Sequence, residues 1–256
     1  MLKVVRLAIV CSSLAYIPDT FSIEAKIETN NTQFSEKFLQ KQINQNVTIG
    51  RAIKTIVGHY PQRAASIVGT ALDLYPEQYK EIIHAAISAQ PTLADEVVTM
   101  ALNKGISNLS SIVETAISAD PSYIDFVVTA AAHSTPEKLN EIVRIAIISE
   151  PDSADYIVQS LAKEHPNKIV DILTSAIGAV PYVGEYVVEA LLAIYPNDAE
   201  LVITTAVRES GGHREYVKRI IEIAQNAGVD IEKIEAYAIN GGATNEEVSQ
   251  VLDNNQ

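Results

Sequence analysis

The sequence predicts an all-α protein, an α-solenoid of about six 30-residue helical hairpins, each made of two 15-residue helix-turn units. Three observations predict this fold. Prolines recur on a fixed register, apolar residues follow each proline with helical spacing, and alternate windows differ in a consistent way. The chain has 256 residues, of which 47% are hydrophobic and 20% charged. That composition provides enough apolar material for a folded core and excludes a disordered chain.

Nearly all the prolines share one 15-residue register, and Pro18 is the exception. Where the register lacks proline, the chain has Asn46, Ile106 or Gly211, and the windows that follow keep the rest of the pattern. Self-similarity at a fixed period indicates a repeat architecture. The prolines on the register are Pro61, Pro76, Pro91, Pro121, Pro136, Pro151, Pro166, Pro181 and Pro196.

Each proline precedes an apolar pattern typical of an α-helix. With proline as position 1, apolar residues recur at positions 4, 7, 8, 11 and 12, which form one stripe of a helix. Proline suits the first position of a helix and pushes the preceding residue out of helical geometry. Each proline is therefore predicted to begin one helix of about eleven residues and to end the helix before it. Asp120 and Thr135 are predicted N-caps.

Alternate windows differ at positions 4, 5 and 6. In the windows from 61, 91, 121, 151, 181 and 211, position 4 is mostly small, position 5 becomes acidic and position 6 becomes aromatic. In the other windows position 4 is large and position 6 is often acidic. This alternation predicts a 30-residue hairpin whose two helices lie in different layers of the stack.

In general organisation the chain resembles the short-hairpin α-solenoids, such as the HEAT-like repeats of about thirty residues. The resemblance rests on period and helix pattern, so it implies a fold and no functional site. Asp230 and Thr244 are predicted N-caps of two short terminal helices, and Thr244 with Glu247 fits a capping box. The predicted segments are a signal peptide at 1–25, a polar linker and N-terminal capping segment at 26–45, the solenoid at 46–225, and C-terminal capping helices at 226–256.

The N-terminal segment is typical of a secretory signal peptide. Lys3 and Arg6 form a basic start, residues 7–14 are mostly apolar, and cleavage is expected after Ala15 or, as the weaker alternative, after Ala25. The apolar segment is too short to span a membrane as a helix. The alternative is an ordinary buried first helix.

The signal peptide predicts export to a periplasm or to the extracellular space. Cys11 is the only cysteine and lies inside the predicted signal. Lipid attachment there is disfavoured because Val10 precedes Cys11 where a small residue is wanted. The mature chain is then expected to have no disulfide, thiol nucleophile or cysteine-bound metal.

No residue pattern predicts catalysis. The histidines occupy different repeat positions, and none lies three or four residues from another, so no helical metal pair exists. No nucleophile-elbow motif or phosphate-binding glycine loop occurs. We therefore expect a non-catalytic protein with no cofactor and no metal. The net charge of −13 disfavours nucleic acid and anionic membranes, and it favours basic or cation-bridged partners.

The aromatic positions predict a partner-binding surface. Position 6 lies about 150° from the centre of the apolar stripe, so its ring should lie outside the main core contact of its own helix. Its outward neighbours at position 9 include Thr99, Thr129 and Gln159, which are uncharged, whereas the outward face of the other layer is more charged. Binding surfaces are enriched in tyrosine and depleted in charge at their centres. The candidate residues are Phe126, Tyr156, Tyr186 and Tyr216, with Thr99, Thr129 and Gln159 beside them and Asp125, Asp155 and Glu185 at the flank.

Two alternatives apply to these residues. The rings could pack sideways between adjacent hairpins or under a terminal segment. The acidic residues at position 5 could be a solvated flank near the helix N-termini, where negative charge is favourable. Their spacing of about 10 Å along the stack is too wide for two carboxylates to share a proton or one metal ion.

The expected function is an exported, non-catalytic adaptor or assembly scaffold that binds another protein or a peptide segment through its concave face. The alternative is a self-associating structural subunit of a cell-envelope or extracellular assembly, in which solenoid ends stack head to tail. The predicted C-terminal cap argues against that alternative. An enzyme and a small-molecule carrier are less favoured still, because no catalytic constellation occurs and alanine-rich helices pack closely.

Overall fold

The computed structural model describes residues 36–45 and 48–253. In these residues the chain forms fifteen α-helices and no strand, and the helices pack in a regular repeating series. The predicted all-α solenoid is confirmed. The predicted signal peptide and the first part of the predicted linker lie outside the described residues.

The helices are numbered in chain order. They are α1 (Glu36–Ile43), α2 (Ile49–His59), α3 (Ala64–Leu74), α4 (Tyr79–Ala89), α5 (Ala94–Lys104), α6 (Leu109–Ala119), α7 (Ile124–Ser134), α8 (Leu139–Ser149), α9 (Ala154–Glu164), α10 (Ile169–Ala179), α11 (Gly184–Ile194), α12 (Ala199–Glu209), α13 (Arg214–Asn226), α14 (Ile231–Asn240) and α15 (Asn245–Asp253).

The helices form two layers. From α2 onward, each helix packs more extensively against the helices two places away in the chain than against the next one. The even-numbered helices α2–α14 form layer A, and the odd-numbered helices α3–α15 form layer B. Six hairpins, from α2–α3 to α12–α13, repeat every thirty residues, as the alternating windows predict. Helix α1 packs against α2 and α3 at the start of the stack.

Each α-helix that follows a proline begins three residues later than the sequence analysis predicts. Each proline of the register begins a three-residue 3-10 turn, and the eleven-residue α-helix begins only at position 4. In the turn Pro136–Lys138, the Lys138 N–H donates to the Thr135 carbonyl at 2.9 Å. Proline therefore lacks an N–H where no α-helical hydrogen bond is needed. The predicted start of each helix at its proline is wrong by one turn.

Of the two predicted N-caps that precede prolines, one is confirmed and the other is wrong. The Asp120 carboxylate accepts from the Ser122 N–H at 3.1 Å, so that cap is confirmed. Thr135 does not cap the following turn, because its hydroxyl donates to the Ala131 carbonyl of the preceding helix at 2.9 Å. The Thr135 prediction is therefore wrong.

Side-chain caps begin the helix at two of the three register positions that lack proline, whereas near Gly211 helix α13 begins after His213 without a side-chain cap. Helix α2 begins after Thr48, whose hydroxyl accepts from the Arg51 N–H at 3.3 Å. Helix α6 begins after Asn108, whose carbonyl oxygen accepts from the Ser111 N–H at 2.8 Å. At those two positions the missing proline is thus replaced by a residue type that satisfies the orphan N–H groups of a helix start.

The core consists of branched aliphatic residues and alanine from both layers. In α8, the residues at positions 7, 8 and 11 are Ile142, Val143 and Ala146, and each is fully buried. Burying one such isoleucine or valine stabilises the fold by about 1.5–3 kcal/mol, and the same positions recur along the stack. Small and branched side chains at the contact allow close helix approach.

Polar contacts also join successive repeats. In layer A the Gly50 N–H donates to the Glu81 carboxylate at 2.9 Å, and the hydroxyls of Tyr79 and Ser111 lie 2.6 Å apart. Hydrogen bonds with Ser107 and, secondly, with Ser111 lower the pKa of the Tyr79 phenol. These contacts join residues about one hairpin apart in the sequence, so they reinforce the period that the core sets.

The C-terminal pair α14–α15 continues both layers as a shorter hairpin. Helix α14 packs on α12, and α15 packs on α13. Asp230 accepts from the Glu232 N–H at 3.0 Å. The capping box is confirmed, because the Thr244 N–H donates to the Glu247 carboxylate at 2.8 Å and the Glu247 N–H donates to the Thr244 hydroxyl at 3.2 Å. The first of these bonds lowers the pKa of Glu247.

The close approach of α14 to α12 depends on Gly241. A Cβ there would lie 2.7 Å from the Val207 Cβ and 2.8 Å from the Thr204 carbonyl oxygen. Gly241→Ala should therefore destabilise the terminal hairpin by about 1–3 kcal/mol. Hydrogen exchange should show faster exchange across 231–253 than in the central repeats. In the control Gly178→Ala, where an added Cβ meets nothing within 4 Å, stability should be unchanged or slightly higher. Equal exchange in both variants would contradict the contact.

Candidate partner-binding surface

The predicted aromatic positions lie on layer B at the same repeat position. Phe126 on α7, Tyr156 on α9 and Tyr186 on α11 are exposed, with relative exposures of 39%, 66% and 50%. Tyr216 on α13 is half-buried, and its ring centroid lies 5.4 Å from that of His213. These four residues are called the aromatic row below. Three of the four rings lie outside the core, as the helical-wheel argument expects.

The uncharged neighbours of the aromatic row are partly buried beside it. Thr99, Thr129 and Gln159 are half-buried on α5, α7 and α9. A hollow of about 350 Å³ between α5 and α7 is lined by Thr99, Phe126 and Thr129, among others. The Phe126 ring packs 5.6 Å from the Tyr123 ring, centroid to centroid. The structure therefore places an exposed ring at the edge of a depression whose lining contains both threonines and two carboxylates, those of Asp95 and Asp125.

The acidic flank divides into two parts. Asp125 and Asp155 are half-buried, and among the described residues no cation lies within ion-pair distance of either carboxylate. Glu185 instead accepts from Arg219 at 3.0 Å, one hairpin later, and Arg219 also lies 3.5 Å from Glu215. The unpaired negative charge is therefore concentrated on α7 and α9.

Glu185 shifts the pKa of two neighbouring side chains, Tyr186 and Arg219. The negative charge of Glu185, followed by a hydrogen bond to it, raises the pKa of the Tyr186 phenol. A hydrogen bond to Glu185, together with its charge, raises the pKa of Arg219. Tyr186 thus remains a neutral phenol at physiological pH, able to donate through its hydroxyl and to contact a partner with its ring.

Tyr182 is an exposed ring that the sequence analysis missed. It lies in the 3-10 turn before α11, four residues before Tyr186, and its relative exposure is 44%. The pattern search compared one repeat position across windows, and Tyr182 occupies position 2, where no other window of this set has an aromatic residue. An aromatic pair within one window is the signal that could have found it.

Other kinds of site find no support in the described part of the chain. In residues 36–45 and 48–253, no group of three histidine, cysteine or acidic side chains could hold a metal ion. The Nε2 of His133 lies 3.3 Å from the Glu164 carboxylate on the next layer B helix, and these two side chains form a pair only. Over the same residues, no helix has the length and apolar character needed to cross a membrane.

Comparisons with protein-family models, with curated proteins and with solved structures found no significant match. The chemistry and geometry of the surface therefore provide the basis for a functional argument. The strongest surface feature on layer B is the aromatic row, because its exposed rings recur at one position of successive repeats.

Exposure of the rings predicts that they contribute little to folding. Tyr156→Ala/Tyr186→Ala should lower the free energy of unfolding by less than about 1 kcal/mol, because surface substitutions away from packed features have small effects. Ile157→Ala, which truncates the buried neighbour of Tyr156, should cost about 2–5 kcal/mol. Urea unfolding followed by circular dichroism compares the two. A loss in the tyrosine variant as large as that in the Ile157 variant would place the rings in the core.

Proposed function

We propose that this protein is an exported, non-catalytic α-solenoid that binds another protein or a peptide segment and acts as an adaptor or assembly scaffold. The single observation that supports this proposal best is the exposure of Phe126, Tyr156 and Tyr186 at the same position of three consecutive layer B helices. An exposed aromatic ring in each repeat is unfavourably solvated and adds little to the stability of the core. Contact with a partner would explain why such rings recur.

The spacing of the row suits an extended segment of the partner. Neighbouring helices of one layer lie about 10 Å apart, so successive rings are separated by a similar distance. A segment in the extended polyproline II conformation rises about 3.1 Å per residue and has three residues per turn, so every third side chain would face one ring. Apolar or aromatic side chains at that interval would cover the rings.

The charge beside the row favours basic residues in the same segment. Asp125 and Asp155 have no cation of this chain within ion-pair distance among the described residues, and they flank Phe126 and Tyr156. Lysine or arginine in the partner would pair with them and gain charge-assisted hydrogen bonds. The rings would supply most of the affinity, and the carboxylates would orient the segment. That this face is concave stays a prediction, as does export by the N-terminal signal.

Charge at the two ends of the stack favours self-association as a second candidate. Residues 36–72 contain five positive side chains and one negative one, whereas residues 227–253 contain one positive and six negative. Opposite charge at opposite ends of a repeat array suits a head-to-tail contact between copies, which produces open filaments when it does not close. On the terminal hairpin, Ile231 and Ile239 are exposed and would add apolar area.

Affinity capture from the native host tests the first candidate. The bait is the chain from Lys26 onward, compared with Tyr156→Ala/Tyr186→Ala and with the control Tyr60→Ala, which removes an equally exposed ring outside the row. We expect one partner to be retained by wild type and by the control and lost from the double variant, because truncating central aromatic contacts costs about 2 kcal/mol or more each.

Two other outcomes would contradict the proposal. If the double variant retains the same proteins as wild type, the aromatic row is not the binding surface. If every bait recovers only its own chain, in particles that disperse at high salt, the head-to-tail candidate replaces the adaptor.

A further inference from the structure

Layer A has a groove on the opposite side of the solenoid from the aromatic row. The groove has a volume of about 800 Å³ and crosses three consecutive helices, α2, α4 and α6. This volume lies within the range of about 300–1,000 Å³ that is typical of binding pockets. Small side chains on the three helices leave the space open, and they are Gly50, Ala85, Ser88, Thr115 and Ser118.

Three cationic side chains line this groove. Arg51 and Lys54 lie on α2, and Lys80 lies on α4. All three are exposed, and within the described residues none has an acidic group at ion-pair distance. Several other cations of the chain are paired instead, such as Lys104 with Asp73 at 2.6 Å and Arg219 with Glu185 at 3.0 Å.

The groove also contains two acidic residues, Glu81 and Glu114, so its three cations outnumber its carboxylates by one. Glu81 accepts from the Gly50 N–H at 2.9 Å, at the N-terminal turn of α2, where the helix dipole also favours a carboxylate. Glu114 lies on α6, at the far side of the groove from α2. His84, which also lines the groove, lies 3.4 Å from the Ser88 hydroxyl through its Nδ1. The basic surface is thus the strip between α2 and α4.

This grouping of three cations does not recur on the later layer A helices. The position that Arg51 occupies on α2 is acidic on α4, α8 and α10, as Glu81, Glu141 and Asp171. The position of Lys54 is Glu114 on α6 and Arg144 on α8. The position of Lys80 becomes Glu200 on α12. Because the whole chain has a net charge of −13, a cationic groove is a local reversal of the surrounding field. Binding of a specific anionic partner is the simplest explanation for exposed, unpaired cations that are grouped in one groove.

We propose that this groove binds an acidic segment of a partner protein, whose carboxylates pair with Arg51, Lys54 and Lys80. This site is distinct from the aromatic row, so the solenoid would contact two segments on opposite faces. A protein segment fits better than nucleic acid. Nucleic-acid binding requires many phosphate contacts, and the negative surface beyond the groove would repel a polyanion that extends past its three cations. A short acidic segment ends before it reaches that surface.

Fluorescence anisotropy with defined probes tests the proposal on the purified protein. The probe is a rhodamine-labelled peptide of about ten alternating glutamate and serine residues, which is long enough to cross three helices. A peptide with lysine in place of glutamate and a single-stranded DNA of similar length are the comparison probes. We expect the acidic peptide alone to bind, and its affinity to fall as salt rises from about 50 to about 200 mM.

Charge-reversed variants locate the site. Lys54→Glu/Lys80→Glu should weaken binding of the acidic peptide by about tenfold, because two attractive contacts become repulsive. The matched control Lys138→Glu/Lys163→Glu makes the same change in net charge outside the groove, and its affinity should stay within about twofold of wild type. Tyr156→Ala/Tyr186→Ala should bind this peptide like wild type, so failure of the groove and failure of the aromatic row are distinguishable. If the charge-reversed groove variant melts early, Lys54→Ala/Lys80→Ala replaces it.

Three results would overturn the proposal. Wild type could fail to bind the acidic peptide at low salt. The groove variant and the control could weaken binding equally, which would assign the effect to net charge. Single-stranded DNA could bind as tightly as the peptide and lose affinity in the groove variant, which would make the groove a nucleic-acid site.

Discussion

The contact between helices two places apart in the chain is the constraint on which the rest of the structure depends. Within each layer, fully buried aliphatic side chains and alanines join a helix to its counterpart one hairpin later. That contact repeats most regularly when successive helices share one length and one orientation of the apolar stripe, and helices α2–α12 all have eleven residues. The 3-10 turn at each proline maintains this regularity, because it ends one helix and begins the next eleven-residue helix at the same position. At two of the three register positions without proline, Thr48 and Asn108 provide the same start by side-chain capping.

Because the register is strict, residues at the same repeat position form a row on the surface. Each face of the solenoid therefore has its own chemistry. Layer B presents rings at one position and carboxylates at the next, and part of that charge is neutralised within the chain by the pair between Glu185 and Arg219. Layer A presents a charged face on which one repeat position is basic on α2, as Arg51, and acidic on α4, α8 and α10, as Glu81, Glu141 and Asp171. Such a surface distinguishes partners by spacing and sign, and the stiff core keeps the cost of ordering low when a partner binds.

The sequence predicts those features that depend on the period alone. The number of hairpins, the two layers, the exposure of Tyr156 and Tyr186 and the capping box at Thr244 all follow from spacing within one or two windows. Features that depend on a neighbouring repeat were beyond the pattern analysis, since helical-wheel arithmetic treats each helix alone. The pairing of Glu185 with Arg219 and the grouping of Arg51 with Lys80 both require knowledge of how two hairpins align. Thr135 shows a local limit of the sequence analysis. A threonine hydroxyl can accept from an N–H of the following helix or donate to a carbonyl of the preceding one, and here it donates to the Ala131 carbonyl.

Hydroxyl-radical footprinting of the protein, alone and in complex with the partner isolated from its host, tests the central claim most directly. The account predicts that oxidation of Phe126, Tyr156 and Tyr186 is rapid in the free protein and falls severalfold in the complex, while oxidation of the equally exposed Tyr60 is unchanged. Unchanged oxidation of the three rings in a complex that protects other residues would contradict it, and would show that the aromatic row is not the surface through which this solenoid binds.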